Sequence, residues 1–286
     1  MASGSDEIAL EFPKFIRIYK DGRVERLGGI DVVPPSTDPI TGVESKDIVI
    51  DPVSRVWARL YKPKLAHSAQ KLPLLVYFHG GGFIIETTAS PLYHNYLNSL
   101  AAEAGVLVIS VDYRRAPENP LPAAYDDCWT VLRWVESHSG GSASDPWMKE
   151  LADFDRVFFA GDSAGANLAH HMALRIGSEG LGLVKLVGVA LIHPYFWAEE
   201  PIGFESEKPE LKAIIGKIWR VAFPSSSGLD DPWINPMKDP SLSKLGCSRV
   251  LVCVAGKDDL RERGRIYCKE LDPVEFRGEV ELLEME

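Results

Sequence analysis

The feature that most constrains the fold of this chain is an alternation of short apolar runs with segments of helical length. From Leu72 onward, each apolar run is followed by a stretch whose apolar residues recur at helical spacing. The runs are LPLLVYF, VLVISVDY, RVFFAG, LVKLVGVALIH, RVLVCVAG and finally GEVELLEM. Strands this apolar are typical of parallel sheets covered by helices on both faces. The sequence therefore predicts a doubly wound α/β fold with a mostly parallel central sheet.

The N-terminal part of the chain has a different pattern. The segments FIRIYKDGRVERL and KDIVIDPVSRVWARLYKP each contain two β-prone runs, separated by a turn at Asp21-Gly22 and near Asp51-Pro52. We therefore expect two hairpins, so that an antiparallel part precedes the parallel sheet.

A second break in the alternation lies at about residues 196–246. This stretch contains the helix-like ELKAIIGKIWRVAF and several aromatic residues, namely Trp197, Phe204, Trp219, Phe223 and Trp233. A lid over an apolar pocket would use such residues, and ordinary packing of the segment explains them equally well. With 286 residues, 45% of them hydrophobic, we predict a single domain over 1–286 with a cap insertion at 196–246.

Charge and composition exclude several classes of partner. A net charge of -10 opposes non-specific binding to nucleic acid and to anionic membranes, so a small neutral or apolar ligand fits better. The apolar runs are well short of the roughly 18 residues of a membrane span. The start, MASGSDEIAL, lacks the basic and apolar regions of a signal peptide, which predicts a cytoplasmic protein. The 4 cysteines form no C-x-x-C pattern, and we expect reduced thiols.

A candidate nucleophile lies in the Gly-x-Ser-x-Gly pentapeptide at residues 161–165. The pentapeptide follows the run RVFFA and opens the helical segment AGANLAHHMAL, which is the setting of a nucleophile elbow. Such a turn is strained, and small neighbours relieve the crowding around it. We predict that Ser163 is the nucleophile and that the neighbouring Asp162 supports the turn rather than the chemistry.

The motif HGGGF, residues 79–83, directly follows the strand LPLLVYF. Consecutive glycines allow backbone N–H groups to turn toward a substrate. We predict an oxyanion hole made by the N–H groups of Gly81, Gly82 and Ala164.

An acid is expected after the nucleophile, and RVLVCVAGKDDL supplies two candidates. Asp258 follows a strand at the edge of the sheet where ligands bind in open α/β folds. We assign Asp258 as the catalytic acid and Asp259 as the N-cap of the next helix, with the reverse assignment as the alternative.

These motifs make the sequence similar to the plant carboxylesterases of the hormone-sensitive-lipase group, in the α/β-hydrolase superfamily. The resemblance rests on YFHGGGF, DYRRAPENPLPAAYDD, GDSAGANLAHH, HPYFW, DDPWINPM and VAGKDDLRERG, in that order between residues 77 and 264. It implies an α/β-hydrolase fold and ester hydrolysis without metal or cofactor. Two related groups are disfavoured. Isoflavanone dehydratases typically carry threonine where this chain has Ser163, and gibberellin receptors have a different N-terminal lid.

The general base is the element that the sequence does not supply. No histidine follows Asp258, whereas the family places its triad histidine after the last strand. His170 and His171 lie about 10 Å along the helix from Ser163, too far for proton transfer. His193, at the end of a strand, is the only other candidate. We expect a truncated triad, a missing C-terminal helix and impaired activity, and we expect the sheet region exposed there to allow self-association.

Two functions follow from these observations. The first is a serine ester hydrolase by lineage that acts on small apolar acyl esters. The alternative is a non-catalytic, hormone-like receptor that binds a small apolar ligand in the same cleft. A purely structural role is disfavoured, because it has no use for a strained serine together with a glycine turn.

Overall fold

The computed structural model describes residues 6–64, 71–140, 144–271 and 276–286. The chain begins with a small antiparallel sheet of β1 (Ile8–Phe12), β2 (Ile16–Tyr19) and β3 (Val24–Arg26). The β2–β3 hairpin turns at the predicted Asp21-Gly22, where Gly22 has a φ of 85°.

The main sheet has eight strands in the order β11-β10-β9-β8-β6-β7-β5-β4. Its strands are β4 (Glu44–Asp51), β5 (Val56–Lys62), β6 (Leu72–Phe78), β7 (Leu107–Asp112), β8 (Ala152–Asp162), β9 (Leu186–Ile192), β10 (Arg249–Ala255) and β11 (Glu279–Met285). Strands β4 and β5 form the second predicted hairpin, and β5 pairs antiparallel with β7. All other pairings in this sheet are parallel, as the apolar runs predict.

Helices cover both faces of the sheet. They are α1 (Pro91–Ala104), α2 (Ala123–Ser139), α3 (Pro146–Leu151), α4 (Ala164–Glu179), α5 (Pro209–Ala222) and α6 (Arg261–Leu271). Strand β6 shows the two layers, because alternate residues of a strand point to opposite faces. Leu74, Val76 and Phe78 belong to the core with α2 and α4, whereas Leu75 and Tyr77 pack with α1.

The segment between β9 and β10, residues 193–248, is the irregular part that the sequence predicts. It contains α5 and three short 3₁₀ helices, Gly203–Glu207, Pro236–Lys238 and Leu242–Lys244. Among its aromatic residues, Trp197, Trp219 and Phe223 are buried. The segment is joined to α6 by a buried ion pair, in which Arg263 Nε donates to Glu205 Oε1 at 2.9 Å.

All four cysteines are free thiols, and three of them are buried. Among the described residues, no helix has both the length and the apolar character needed to cross a membrane.

We predict that the Arg263–Glu205 pair holds the 193–248 segment on the domain. The two side chains are only 8% and 1% exposed. Glu205→Gln should lower the free energy of unfolding by about 3 kcal/mol, because it leaves a buried guanidinium without its counter-charge. Urea unfolding checks this. The double variant Glu205→Leu/Arg263→Met should recover much of the loss, and an unchanged stability of Glu205→Gln would contradict the prediction.

Candidate active site

Ser163 occupies a sharp turn between β8 and α4, as the pentapeptide predicts. Its φ of 52° and ψ of -116° are strained for a residue with a side chain. Backbone hydrogen bonds hold the turn from the neighbouring strand end. Ser163 N–H donates to Ile192 O at 2.8 Å, and Tyr195 N–H donates to Ser163 O at 3.0 Å. The serine is half-buried.

The two flanking glycines are required by the close approach of this turn to β6. A Cβ on Gly165 would lie 1.9 Å from the carbonyl oxygen of Phe78. A Cβ on Gly161 would lie 2.3 Å from Gly165 O and 2.7 Å from Phe78 O. Each of these contacts is with backbone, which cannot move aside as a flexible side chain would. The pentapeptide therefore has glycines here because any larger residue would push α4 away from the sheet.

Asp162 connects the turn to the HGGGF loop. Its Oδ1 accepts hydrogen bonds from Tyr77 Oη at 2.9 Å and Gly80 N–H at 3.0 Å, and its Oδ2 accepts one from Tyr93 Oη at 2.9 Å. Burial raises the pKa of the Asp162 carboxyl, while the hydrogen bonds from Tyr93 and Tyr77 oppose that shift. The side chain thus supports the turn, as expected, and fixes Gly80 beside it.

The HGGGF motif and the residues that follow it form a loop at residues 79–86, called the glycine loop here, in which four residues have positive φ. Gly81 has a φ of 100°, Gly82 of 61°, Phe83 of 64° and Glu86 of 68°. Gly81 O accepts hydrogen bonds from both Ile84 N–H and Ile85 N–H at 3.0 Å, which closes the loop into a tight turn. Within the described part of the chain, the N–H groups of Gly81, Gly82 and Ala164 have no hydrogen-bond partner.

His79, the first residue of this motif, is structural. It is fully buried, with Nδ1 at 2.8 Å from Gly80 O and its ring stacked on Tyr113 at a centroid distance of 4.2 Å. Burial lowers the pKa of His79 to about 3, so the imidazole is neutral at physiological pH.

Asp258 lies just after β10 at the carboxyl edge of the sheet, near His193 at the end of β9. The distance between Asp258 Oδ2 and His193 Nδ1 is 3.5 Å. Both atoms are buried, and neither has a hydrogen-bond partner among the described residues. His193 has a left-handed φ of 46°, and its N–H donates to Cys253 O at 2.8 Å, which links the two strand ends.

The predicted role of Asp259 as a helix cap is wrong. Helix α6 begins at Arg261, so Asp259 lies one residue before the cap position. Its carboxylate instead accepts from Lys208 Nζ at 2.7 Å. The long-range ion pair to the 193–248 segment replaces the local cap that the sequence suggested.

The other described histidines have partners away from Ser163. His170 contacts Tyr267 Oη at 3.0 Å and His171 contacts Trp233 O at 3.0 Å, both inside the core. Burial lowers the pKa of His171 to about 4 and that of His170 well below its ordinary value. His94 lies beside Arg59 and Tyr61, and His138 bonds Trp134 O. His67 lies outside the described residues.

The 193–248 segment lies against the glycine loop. A Cβ on Gly82 would be 3.4 Å from Ile218 Cγ2, and the Phe83 and Trp219 rings are 6.2 Å apart. Helix α5 therefore presents apolar side chains to the loop that carries the free amides. The described residues contain no group of histidine, cysteine and carboxylate side chains that could hold a metal ion.

Ser163, the glycine loop and Asp258 lie at the carboxyl edge of an α/β sheet, and comparison with known proteins gives the class of this chain. A protein family described as having an alpha/beta hydrolase fold matches residues 75–286. The chain belongs to the α/β-hydrolase family.

Its relatives place it among the plant carboxylesterases. It is 46% identical to Probable carboxylesterase 2 of Arabidopsis thaliana, over 99% of this chain and 89% of that protein. It is 49% identical to Tuliposide A-converting enzyme 1, chloroplastic, of Tulipa gesneriana, over 98% and 71%. It is also 46% identical to the 2-hydroxyisoflavanone dehydratase of Glycyrrhiza echinata, over 99% and 88%. By lineage the chain is a carboxylesterase-type hydrolase.

A solved structure gives the same result. The hyperthermophilic esterase from the archaeon Pyrobaculum calidifontis superposes with a TM-score of 0.68 at 30% identity, covering 86% of this chain and 77% of that one. The predicted fold and the predicted family are thereby confirmed.

We predict that the glycine at position 165 is required for the turn. Gly165→Ala should lower the free energy of unfolding by about 2 kcal/mol or more, because the new methyl group overlaps a backbone carbonyl. In the chain extended by a C-terminal segment of the family that supplies a histidine, it should also abolish labelling of Ser163 by a fluorophosphonate. Gly140→Ala is the matched control, since a Cβ there meets nothing within 4 Å and φ is -84°. Normal stability and labelling of Gly165→Ala would show that the turn tolerates a side chain.

Proposed function

We propose that this protein is a serine carboxylesterase in which Ser163 is the nucleophile. The proposal is supported mainly by the position of the glycine loop next to Ser163. The bond from Gly80 N–H to Asp162 fixes the loop carrying the unbonded Gly81 and Gly82 amides beside the strained serine. A strained nucleophile beside free amides at a helix N-terminus is what acyl transfer requires.

In the proposed reaction, Ser163 Oγ attacks the acyl carbonyl and transfers its proton to a general base. The negative charge that develops on the carbonyl oxygen is stabilised by the N–H groups of Gly81, Gly82 and Ala164, with the N-terminal dipole of α4 adding to the field. When the intermediate collapses, the base returns its proton to the leaving oxygen, which releases the alcohol and leaves an acyl-serine. Water, deprotonated by the same base, then attacks the acyl carbon, and the carboxylic acid leaves as Ser163 Oγ regains its proton. The reaction uses no metal and no cofactor.

Asp258 is proposed to orient the histidine that acts as the base. A carboxylate at this position holds the imidazole in the correct tautomer and stabilises the imidazolium that forms. Among the described histidines only His193 contacts Asp258, and Ser163 Oγ has no hydrogen bond to any of them. We therefore propose that a polypeptide of residues 1–286 turns over slowly. Removal of one triad member typically costs on the order of 10⁴ to 10⁶ in kcat.

The proposed substrates are small esters with an apolar acyl group. Residues 196–246 are proposed to act as a cap over the single domain, because Ile218 and Trp219 of α5 lie against the glycine loop. The acidic net charge disfavours nucleic acid and anionic lipid as partners. A cytoplasmic location remains a prediction. The receptor alternative has no support from the relatives.

The esterase proposal can be tested with p-nitrophenyl butyrate. The test uses this chain extended by a C-terminal segment of the family that supplies a histidine. We expect turnover that Ser163→Ala reduces by about 10⁴-fold or more, because the nucleophile is lost. Ser178→Ala is the matched control, since Ser178 lies on the same helix and its hydroxyl bonds only helix carbonyls. Turnover that does not depend on Ser163, or none at all, would refute the proposal.

We also propose that the 286-residue polypeptide self-associates through the outer end of its sheet, with a second copy as the occupant. Strand β11 is an edge strand and exposes Leu283 and Met285, each 46% accessible. Beside it, an apolar groove of about 490 Å³ runs between α1 and strands β8 to β10. Exposed apolar surface next to an unpaired strand edge is typical of interaction sites.

Self-association can be measured by light scattering over a concentration series. We expect a species larger than the monomer, and the variant Leu283→Lys/Met285→Lys should shift it to monomer, because like charges repel and resist burial. Ile40→Lys changes an equally apolar residue that is 91% exposed elsewhere, and should have no effect. A monomer at every concentration would exclude the interface.

A further inference from the structure

The glycine loop at residues 79–86 is held from outside by the N-terminal sheet. Arg26, the last residue of β3, places its guanidinium against the loop, 58 positions away in sequence. Its Nε donates to Ile84 O at 2.7 Å, and its Nη2 donates to Ala116 O at 3.1 Å. Ala116 N–H in turn donates to Phe83 O at 2.9 Å. The small antiparallel sheet and the loop are therefore joined by a closed set of hydrogen bonds.

The guanidinium is itself fixed in place. Nη1 and Nη2 of Arg26 each donate to a carboxylate oxygen of Glu118 at 2.7 Å, a bidentate geometry that sets the plane of the group. The Arg26 side chain is 17% exposed. This pairing lowers the pKa of the Glu118 carboxyl, so the carboxylate is charged over the range in which the protein functions.

The loop needs such support because its own conformation is unfavourable. Phe83 and Glu86 have side chains and yet adopt left-handed φ, which costs of order 1–2 kcal/mol per residue. Strained residues persist only where surrounding contacts determine them. Bonds from Arg26 and Ala116 hold the carbonyls of Ile84 and Phe83, and Arg115 Nη1 bonds Glu86 O at 2.5 Å.

A second contact from the same segment reaches the loop. Gly29, with a φ of 64°, lies so close to Glu86 that a Cβ on it would be 2.8 Å from Glu86 N. Residues 26–29 thus contact the loop at Ile84 and again at Glu86. The contact is with backbone in both cases, so it constrains the path of the loop and not only the position of a side chain.

We propose that Arg26 is a positioning residue for the oxyanion hole. Arg26 binds Ile84 O, and the N–H of the same peptide, Ile85 N–H, donates to Gly81 O. The Gly81 carbonyl shares its peptide plane with the Gly82 N–H, so this chain of bonds holds the Gly82 N–H in its direction. A peptide carbonyl and the N–H of the next residue point in opposite directions. Because Gly81 O is held by the Ile84 and Ile85 N–H groups, the Gly82 N–H is directed to the opposite side. This role rests on the proposed esterase function.

The test uses the chain extended by the histidine-supplying C-terminal segment of the esterase test, and compares it with the same extended chain carrying Arg26→Met, which keeps the aliphatic stem and removes every donor. The first readout is hydrogen exchange at the Ile84, Ile85 and Ala116 amides, all of which are bonded in the structure. We expect exchange to be at least about tenfold faster in the variant, because the loop opens more often. The second readout is the rate of Ser163 labelling by a fluorophosphonate, which we expect to fall about tenfold or more as the amides lose their alignment.

Two controls separate a local effect from a general one. Arg23→Met removes an arginine of the same small sheet, one that binds Asp6 and lies over the Tyr19 ring, without contact to the loop. Glu118→Gln weakens the ion pair but leaves both carbonyl bonds possible. Arg23→Met should exchange and label like the wild type, and Glu118→Gln should show smaller changes than Arg26→Met, because the guanidinium loses part of its support but keeps its donors. If Arg26→Met does not fold, Arg26→Lys, which retains one charged donor, should show the same changes at smaller size.

Each result has a definite meaning. Unchanged exchange at the three amides in Arg26→Met would overturn the inference whatever the labelling shows. Faster exchange with an unchanged labelling rate would show that Arg26 stabilises the loop without aligning its amides, and would also overturn the positioning role. If Ser163 is not labelled even in the extended wild type, the proposed function fails, and the positioning role fails with it, whereas the exchange data still show whether Arg26 stabilises the loop.

Discussion

The close contact between the start of α4 and the carboxyl end of β6 is the constraint on which the site depends. Phe78 O lies where a side chain on Gly161 or Gly165 would have to be. Because both positions are glycine, the helix can begin directly at the sheet edge. Phe78 pairs with Gly161 in the parallel register, so the glycine loop and Ser163 leave adjacent strands at the same level. Backbone packing alone thus brings Ser163 and the loop that carries the Gly81 and Gly82 amides to the same edge of the sheet.

A buried carboxylate reinforces this packing at a cost. Asp162 accepts hydrogen bonds from two tyrosine hydroxyls and from Gly80 N–H, yet its pKa remains raised because burial outweighs them. The charged form therefore contributes less to stability than the three hydrogen bonds suggest. The Asp162 carboxylate instead fixes the positions of Gly80 and the two tyrosines, since no apolar residue could bind the Gly80 amide and both hydroxyls at once.

The parts of this structure that could be predicted from sequence are those fixed by local chemistry. Turn residues at Asp21-Gly22 located a hairpin, apolar runs located the parallel strands, and the glycines around Ser163 identified the strained turn. The contacts that sequence reasoning missed join distant segments. Arg26 to Ile84 spans 58 positions, and Lys208 to Asp259 spans 51. Single charged residues such as Arg26 and Lys208 form no periodic pattern in the sequence, so the groups that they bind can be identified only in the folded structure.

Strain in this chain is concentrated around the candidate site. Six non-glycine residues of the described chain have positive φ, and four of them, Phe83, Glu86, Ser163 and His193, belong to the glycine loop or to the strand ends beside it. Each such residue costs of order 1–3 kcal/mol. The backbone of each of the four is hydrogen-bonded to another segment. Phe83 O accepts from Ala116 N–H and Glu86 O accepts from the Arg115 side chain, while Ser163 N–H donates to Ile192 O and His193 N–H donates to Cys253 O. The site is therefore maintained by the stability of the whole sheet, and substitutions that loosen those distant partners should affect the site before they unfold the domain.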